Sequence, residues 1–239
     1  MSKQDTSKPL DDYLDNHFIH KSNWLRAAVL GANDGILSTA SIAIGVAAAS
    51  STREPIILAT LAGLVAGALS MAAGEYVSVS SQTDLETADI NREKKELLDM
   101  PELELQRLAE IYEHRGLKKE TALQVAKEMT EHDALGAHIR DELGINEISQ
   151  ANPIQAALAS GGSFTLGGVF PLLVVFFLPL TNMEYTLYSS SILFLGILGA
   201  IAAKTGGSSI TKAILRITFW GTIAMGLTAL VGYLFGVNL

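Results

Sequence analysis

The sequence predicts an all-α membrane protein with five transmembrane helices. A cytoplasmic helical insert is expected between helices 2 and 3, with helix 2 extending into it. Three observations carry this prediction. Apolar stretches recur at about 25–50, 55–80, 154–179, 186–203 and 210–237, within the range of lengths that cross a hydrocarbon core. A polar segment, about Asp84 to Asn152, separates the second stretch from the third. Lysine and arginine alternate from loop to loop, as they do when one side of the membrane is cytoplasmic. Composition averages of 49% hydrophobic residues and mean hydropathy +0.30 hide this division. The near absence of long alternating runs argues against a membrane barrel.

Taken in order, residues 1–23 form a polar segment carrying Asp5, Asp11, Asp12 and Asp15. It lacks the basic start, short apolar core and cleavage site of a signal peptide, so the first membrane helix is expected to act as its own insertion signal. Residues 24–83 hold helices 1 and 2, 84–152 the insert, and 153–239 helices 3 to 5. The N-terminal part through Arg26 has Lys3, Lys8, Lys21 and Arg26, whereas the first loop has only Arg53. The insert is rich in Lys and Arg, the Leu180–Tyr185 loop has none, and the next connection has Lys204, Lys212 and Arg216. This pattern puts the N-terminus and insert in the cytoplasm and the C-terminus outside. The expected setting is a bacterial inner (plasma) membrane. Arg53 and Glu54 read as loop charges.

Helix 2 shows no stop signal: Gln82 to Leu98 continues without Gly or Pro. Asp99-Met100-Pro101 should break it, with Pro101 in the first turn of a new helix to His114, where its missing N–H is not needed. A further helix is expected from Lys118 to Leu143, bending near Thr130. Leu103, Leu108, Ile111 and Tyr112, then Leu123, Val125, Ala126, Met129, Leu135, Ile139 and Leu143, give an apolar stripe at helical spacing. Asn152-Pro153 starts helix 3, whose Gly161-Gly162 and Gly167-Gly168 pairs and Pro171 suggest a close contact or a kink. Small residues four apart recur at Gly31/Gly35, Gly63/Gly67, Gly196/Ala200 and Gly232/Gly236, a spacing that lets helix backbones approach. Ordinary packing within the chain is the plainer explanation; a dimer face or a lined path is the functional one.

The net charge is −8 and there is no cysteine, which excludes disulfides and thiolate metal sites. Residues 89–148 hold 15 Asp and Glu against nine Lys and Arg, which suits cations and not nucleic acid. No Ser/His/Asp pattern, phosphate loop or zinc signature points to an enzyme.

Asp34 lies inside the first apolar segment, in Gly31-Ala32-Asn33-Asp34-Gly35. A carboxylate there costs several kcal/mol, and such groups usually face an ion or proton path. A structural hydrogen bond to Asn33, Ser38 or Thr39 is the alternative. Asp34 is eight residues beyond Arg26, about 12 Å along the helix. Met71 should sit level with it on the descending helix 2. Glu75, four residues on and on the same face, lies one turn nearer the cytoplasm. Carboxylate oxygen with a thioether biases toward transition metals such as Fe²⁺, and protonatable carboxylates can exchange a proton for a metal ion. The alternatives are packing for Met71 and an interfacial carboxylate for Glu75. In the insert, Glu93 and Glu96 are three apart, Glu102, Glu104, Glu110 and Glu113 follow, and His138 and Glu142 are four apart. These read either as a solvated acidic face or as carboxylates converging on divalent ions. The insert has no Glu-x-x-His pair of the ferritin-like di-iron kind.

The segments Gly31-Ala32-Asn33-Asp34-Gly35, Met71-Ala72-Ala73-Gly74-Glu75-Tyr76-Val77-Ser78-Val79-Ser80-Ser81-Gln82, Arg92-Glu93-Lys94-Lys95-Glu96, and Glu131-His132-Asp133-Ala134-Leu135 leading to His138 and Asp141-Glu142-Leu143-Gly144 resemble the vacuolar iron transporter family. The resemblance runs from about His20 through nearly the whole chain. It implies a homodimeric exporter of Fe²⁺, often Mn²⁺, working in exchange for protons, with the path where the first two helices meet at the dimer interface. Zn²⁺ or Co²⁺ are further candidate ions. Asp34 and Met71 match the family's membrane site. Glu93, Glu96, Glu104 and Glu142 match its insert glutamates, with Glu110 a further candidate. Arg107 stands where some members carry a glutamate, His138 where a methionine ligand occurs, and Gly63 where some have a membrane glutamate. A membrane-bound metal sensor or storage scaffold without transport is the competing reading.

Overall fold

The computed structural model describes residues 22–145 and 152–235. The polar segment expected over 1–23 lies outside the described residues except for its last two. Residues 146–151 and 236–239 lie outside them as well. The described residues form seven helices and no strand: α1 (Ser22–Ala49), α2 (Arg53–Asp99), α3 (Pro101–His114), α4 (Lys119–Asp141), α5 (Pro153–Phe177), α6 (Met183–Thr205) and α7 (Ile210–Phe235). Five of them, α1, α2, α5, α6 and α7, are long and apolar enough to cross a membrane. The chain divides into two compact units. One comprises the residues up to Tyr76 with those from Ile154 onward, the other Val77–Pro153. The division falls inside α2.

In the first unit, α1 packs against α6 and α7. The core joins Ile36, Ala40 and Ile44 of α1 to Ile56 of α2, Val175 of α5, Leu187 and Leu195 of α6 and Met225 of α7. α1 and α5 cross at backbone contact. A Cβ on Gly35 would run into the Phe164 carbonyl, and one on Gly167 into the Ala32 carbonyl. Gly63 abuts Ile42 and Gly67 abuts the Phe164 ring. The small residues of α1, α2 and α5 therefore serve contacts within the chain, where van der Waals packing replaces the hydrophobic effect that lipid cannot supply. α5 runs through Pro171 as one helix.

Arg53 is not a loop charge. It begins α2, and its guanidinium donates hydrogen bonds to the main-chain carbonyls of Phe176 and Leu178 at the end of α5. The last carbonyls of a helix have no partner within it, and Arg53 supplies one. α6 begins at Met183, earlier than the expected 186, immediately after Asn182 in the left-handed region (φ 60°). Glu184 in its first turn suits the positive end of the helix dipole, a signal that hydropathy does not register.

The second unit holds the polar half of α2 with α3 and α4. α2 stops at Asp99 because Met100 precedes a proline, which disfavours the helical region; its backbone is at φ −140°, ψ 52°. Leu108, Ala109 and Tyr112 of α3 pack on Ala122, Ala126 and Ala137 of α4. α4 is broken at Asp133 (φ −161°, ψ 90°), three residues beyond the bend expected near Thr130. The Asp133 carboxylate accepts a hydrogen bond from the Gly136 N–H at 3.0 Å and so caps a new helical piece. A Cβ on Gly136 would strike that carboxylate. α4 ends at Asp141, short of the expected Leu143.

Candidate metal centre

Three helices of the second unit converge on one buried cluster. α2 supplies Glu93, α3 supplies Glu104, α4 supplies His138, and Glu142 follows directly on the end of α4. One ligand atom from each of the four lies within 4.8 Å of the others. Glu93 is 3% exposed, Glu104 1% and His138 0%. Glu93 and Glu104 thus leave the solvated face on which sequence alone also allowed them. His138 Nδ1 lies 2.9 Å from Glu142 Oε2, 2.9 Å from Glu93 Oε1 and 3.9 Å from Glu104 Oε2. A ring nitrogen carries at most one hydrogen, and the bond here is with Glu142. Among the described residues, Glu93 Oε1, Glu104 Oε2 and His138 Nε2 are left buried without a hydrogen-bond partner.

Such an arrangement is expensive. Taking an ion out of water costs several kcal/mol unless charge and hydrogen bonds compensate. Burial, and then the neighbouring Glu142, push the Glu93 carboxyl above its ordinary value, with His138 pulling the other way. Three carboxylates facing one imidazole are balanced by protons or by a cation. Carboxylate oxygen with imidazole nitrogen suits first-row divalent metals. The donor set and its orphaned buried atoms both fit a metal ion.

A clasp holds the end of α4 that carries His138. Asp141 accepts hydrogen bonds from the Tyr112 hydroxyl (2.9 Å) and from Arg115, which also donates to the Asp141 main-chain carbonyl at 3.0 Å. Burial works against the charged Asp141 carboxyl, but the bonds from Arg115 and Tyr112 outweigh it and hold the group below its ordinary value. Nothing in the spacing of Tyr112, Arg115 and Asp141 announces this clasp in the sequence.

The other expected residues are placed as follows. Glu96 borders the cluster, its carboxylate 3.0 Å from Arg92 Nε and 3.7 Å from Arg107. Glu110 is exposed on α3 and stands apart from the cluster. In the first unit, Asp34 is half-buried on α1, and Met71 and Glu75 are half-buried on α2. The Ser38 hydroxyl donates to the main-chain carbonyl of Asp34 at 2.5 Å and not to its side chain. Among the described residues, no hydrogen bond or ion pair engages the Asp34 carboxylate.

The model of the VIT family matches residues 25–233. The chain is 43% identical over 221 residues to a protein named vacuolar iron transporter from Acanthamoeba castellanii, spanning 90% of this chain and 82% of that one. It is 35% identical to vacuolar iron transporter homolog 1 of Oryza sativa subsp. japonica, over 93% of this chain and 78% of that one. It is 34% identical to vacuolar iron transporter homolog 2 of Arabidopsis thaliana, over 89% and 86%. Matched over most of its length, this multi-pass membrane protein belongs to the VIT family of metal-ion transporters.

Proposed function

We propose that the protein is a secondary transporter that exports Fe²⁺, Mn²⁺ or both from the cytosol in exchange for protons. The observation that carries this reading is the buried cluster of Glu93, Glu104, His138 and Glu142, whose donor atoms lie within 4.8 Å of one another. In the proposed cycle, this acidic module, on the cytoplasmic side with the N-terminus, captures metal. Glu75 passes the ion to Asp34 and Met71, whose oxygen and thioether suit a transition metal. Asp34 then serves as the group that is alternately metal-bound and protonated. A half-buried carboxylate with no hydrogen-bond or ion-pair partner among the described residues is suited to that role. In a bacterial cell the movement is outward across the plasma membrane.

The working unit is proposed to be a homodimer. The apolar window of α2 is only 17% buried within the chain, and its exposed positions include the small residues Ala66, Ser70, Ala73 and Gly74. Such residues let a second helix approach closely, and pairing there would bring two copies of the Asp34 and Met71 site together.

The test is Mn²⁺ and Fe²⁺ flux into proteoliposomes containing the purified chain, with and without an imposed pH gradient. Flux is expected to rise with the gradient and to be abolished by Asp34→Ala in a chain that remains folded. Normal flux in that variant removes Asp34 from the mechanism. Metal binding without any flux would favour a sensor or store, and flux indifferent to the gradient would favour a channel.

A further inference from the structure

The carboxylates around His138 face two ways. Glu104 presents Oε2 to His138 Nδ1 at 3.9 Å and Oε1 to Arg107 at 3.6 Å. Glu142 presents Oε2 to His138 Nδ1 at 2.9 Å and Oε1 to Arg107 Nε at 3.2 Å. Glu93 completes the side toward His138 and Glu96, 3.7 Å from Arg107, completes the other. The cluster therefore has two cation seats that share Glu104 and Glu142 as bridges. The inner one is formed by Glu93, His138 and the two bridges. The outer one is formed by Glu96 and the two bridges, and the guanidinium of Arg107 sits in it.

We propose that Arg107 is a built-in counter-cation that takes the place of a second divalent ion and limits this cluster to one. The proposal rests on the reading of the cluster as a metal site. Charge supports it. Four carboxylates, Glu93, Glu96, Glu104 and Glu142, are set against two guanidinium groups, Arg92 and Arg107. One divalent ion brings the group to neutrality, and a second would carry it to an excess of two positive charges. Geometry supports it too. Arginine presents a planar fork of donors that suits carboxylates, and here the fork meets three of them. The Arg107 side chain is 45% exposed while those of Glu104 and His138 are 1% and 0% exposed. The outer seat thus opens toward solvent, where an ion could enter once the arginine is gone. Replacing Arg107 by glutamate leaves five carboxylates against Arg92, a charge that two divalent ions neutralise.

The experiment uses the full chain in detergent with Mn²⁺ alone. Bound ions are counted by equilibrium dialysis, and the ions are examined by electron paramagnetic resonance. The expected result is one more Mn²⁺ per chain in Arg107→Glu than in the unaltered protein, with the spectrum of a magnetically coupled pair. Arg107→Lys, which keeps the charge, should hold the original number. Adding Glu96→Gln to Arg107→Glu should remove the extra ion, because Glu96 belongs to the outer seat alone. An unchanged count in both Arg107→Glu and the neutral Arg107→Gln overturns the proposal. His138→Ala separates the two levels of the argument. If it lowers the count while Arg107→Glu does not raise it, only the role of Arg107 fails. If it leaves the count unchanged, the cluster is not a metal site and both readings fail.

Discussion

Substituting Glu93 by glutamine should make the metal-free protein more stable and sharply reduce the stability that metal adds. The side chain is nearly isosteric, so packing is kept and the charge is removed. Two like unit charges 4.8 Å apart, the outer limit within the cluster, repel by about 3.5 kcal/mol at an effective dielectric of about 20. Protonation and His138 already relieve part of that, so a gain of about 1–3 kcal/mol is expected without metal. The pH dependence has a definite sign. Burial and Glu142 raise the folded Glu93 carboxyl above its ordinary 4.5. Its contribution to stability is therefore fully present below about 4.5 and is lost as pH rises through the folded value. Glu93→Gln should remove that slope. Metal offsets that gain by about 2.3 kcal/mol. An ion at a hundred times its Kd stabilises the folded chain by about 2.7 kcal/mol. Losing a charged ligand should weaken binding by about 100-fold, since even outer partners of ligands are worth 10–100-fold. The same metal concentration then stabilises the variant by only about 0.4 kcal/mol. Hydrogen exchange of α3 and α4 in the full chain, with and without Mn²⁺, reads the local opening free energies directly. A metal-free variant less stable than the original, with its stabilisation by Mn²⁺ intact, would refute the reasoning.

Two further expectations concern packing inside each unit. Asp141→Asn should cost about 1–3 kcal/mol in the opening of α3 and α4, the usual penalty for disturbing buried hydrogen-bonding groups. The clasp it belongs to is strongest above about pH 3.8 and is lost as pH falls through the lower folded value of Asp141, because the group is charged in its folded partnership. Acid titration followed by exchange should show this slope in the original chain and not in the variant. Gly35→Val should force α1 and α5 apart at the Phe164 carbonyl and cost at least about 1–3 kcal/mol, as overpacking does. Thermal unfolding in detergent should show that loss, whereas Gly162→Ala, which meets nothing within 4 Å, should leave the transition nearly unchanged.

Much of the helical framework is legible in the chain because its causes are local. Apolar length marks the five candidate spans. The run without Gly or Pro after Gln82 marks the continuation of α2, and Pro101 marks its end. Where the structure departs, the reason is a side-chain hydrogen bond that hydropathy does not register. Asp133 breaks α4 because its carboxylate caps the Gly136 N–H, and the bend expected near Thr130 falls three residues early. Arg53 reads as a loop charge until α5 is seen to end beside it.

For the cluster, spacing tells less. Glu93 and Glu96 are equally acidic and three residues apart on one helix. They point about 60° apart around the helix axis, and that decides which one enters the interior with His138 and which one meets Arg92 and Arg107. Glu104 and Glu110 share α3, yet one is 1% exposed and the other faces solvent. Hydropathy and helix punctuation belong to each segment alone, so the sequence determines the number, order and polarity of the helices. Convergence belongs to the packing of α2, α3 and α4 against one another. Only that packing selects Glu93, Glu104, His138 and Glu142 from an acidic segment and turns Arg107 toward them.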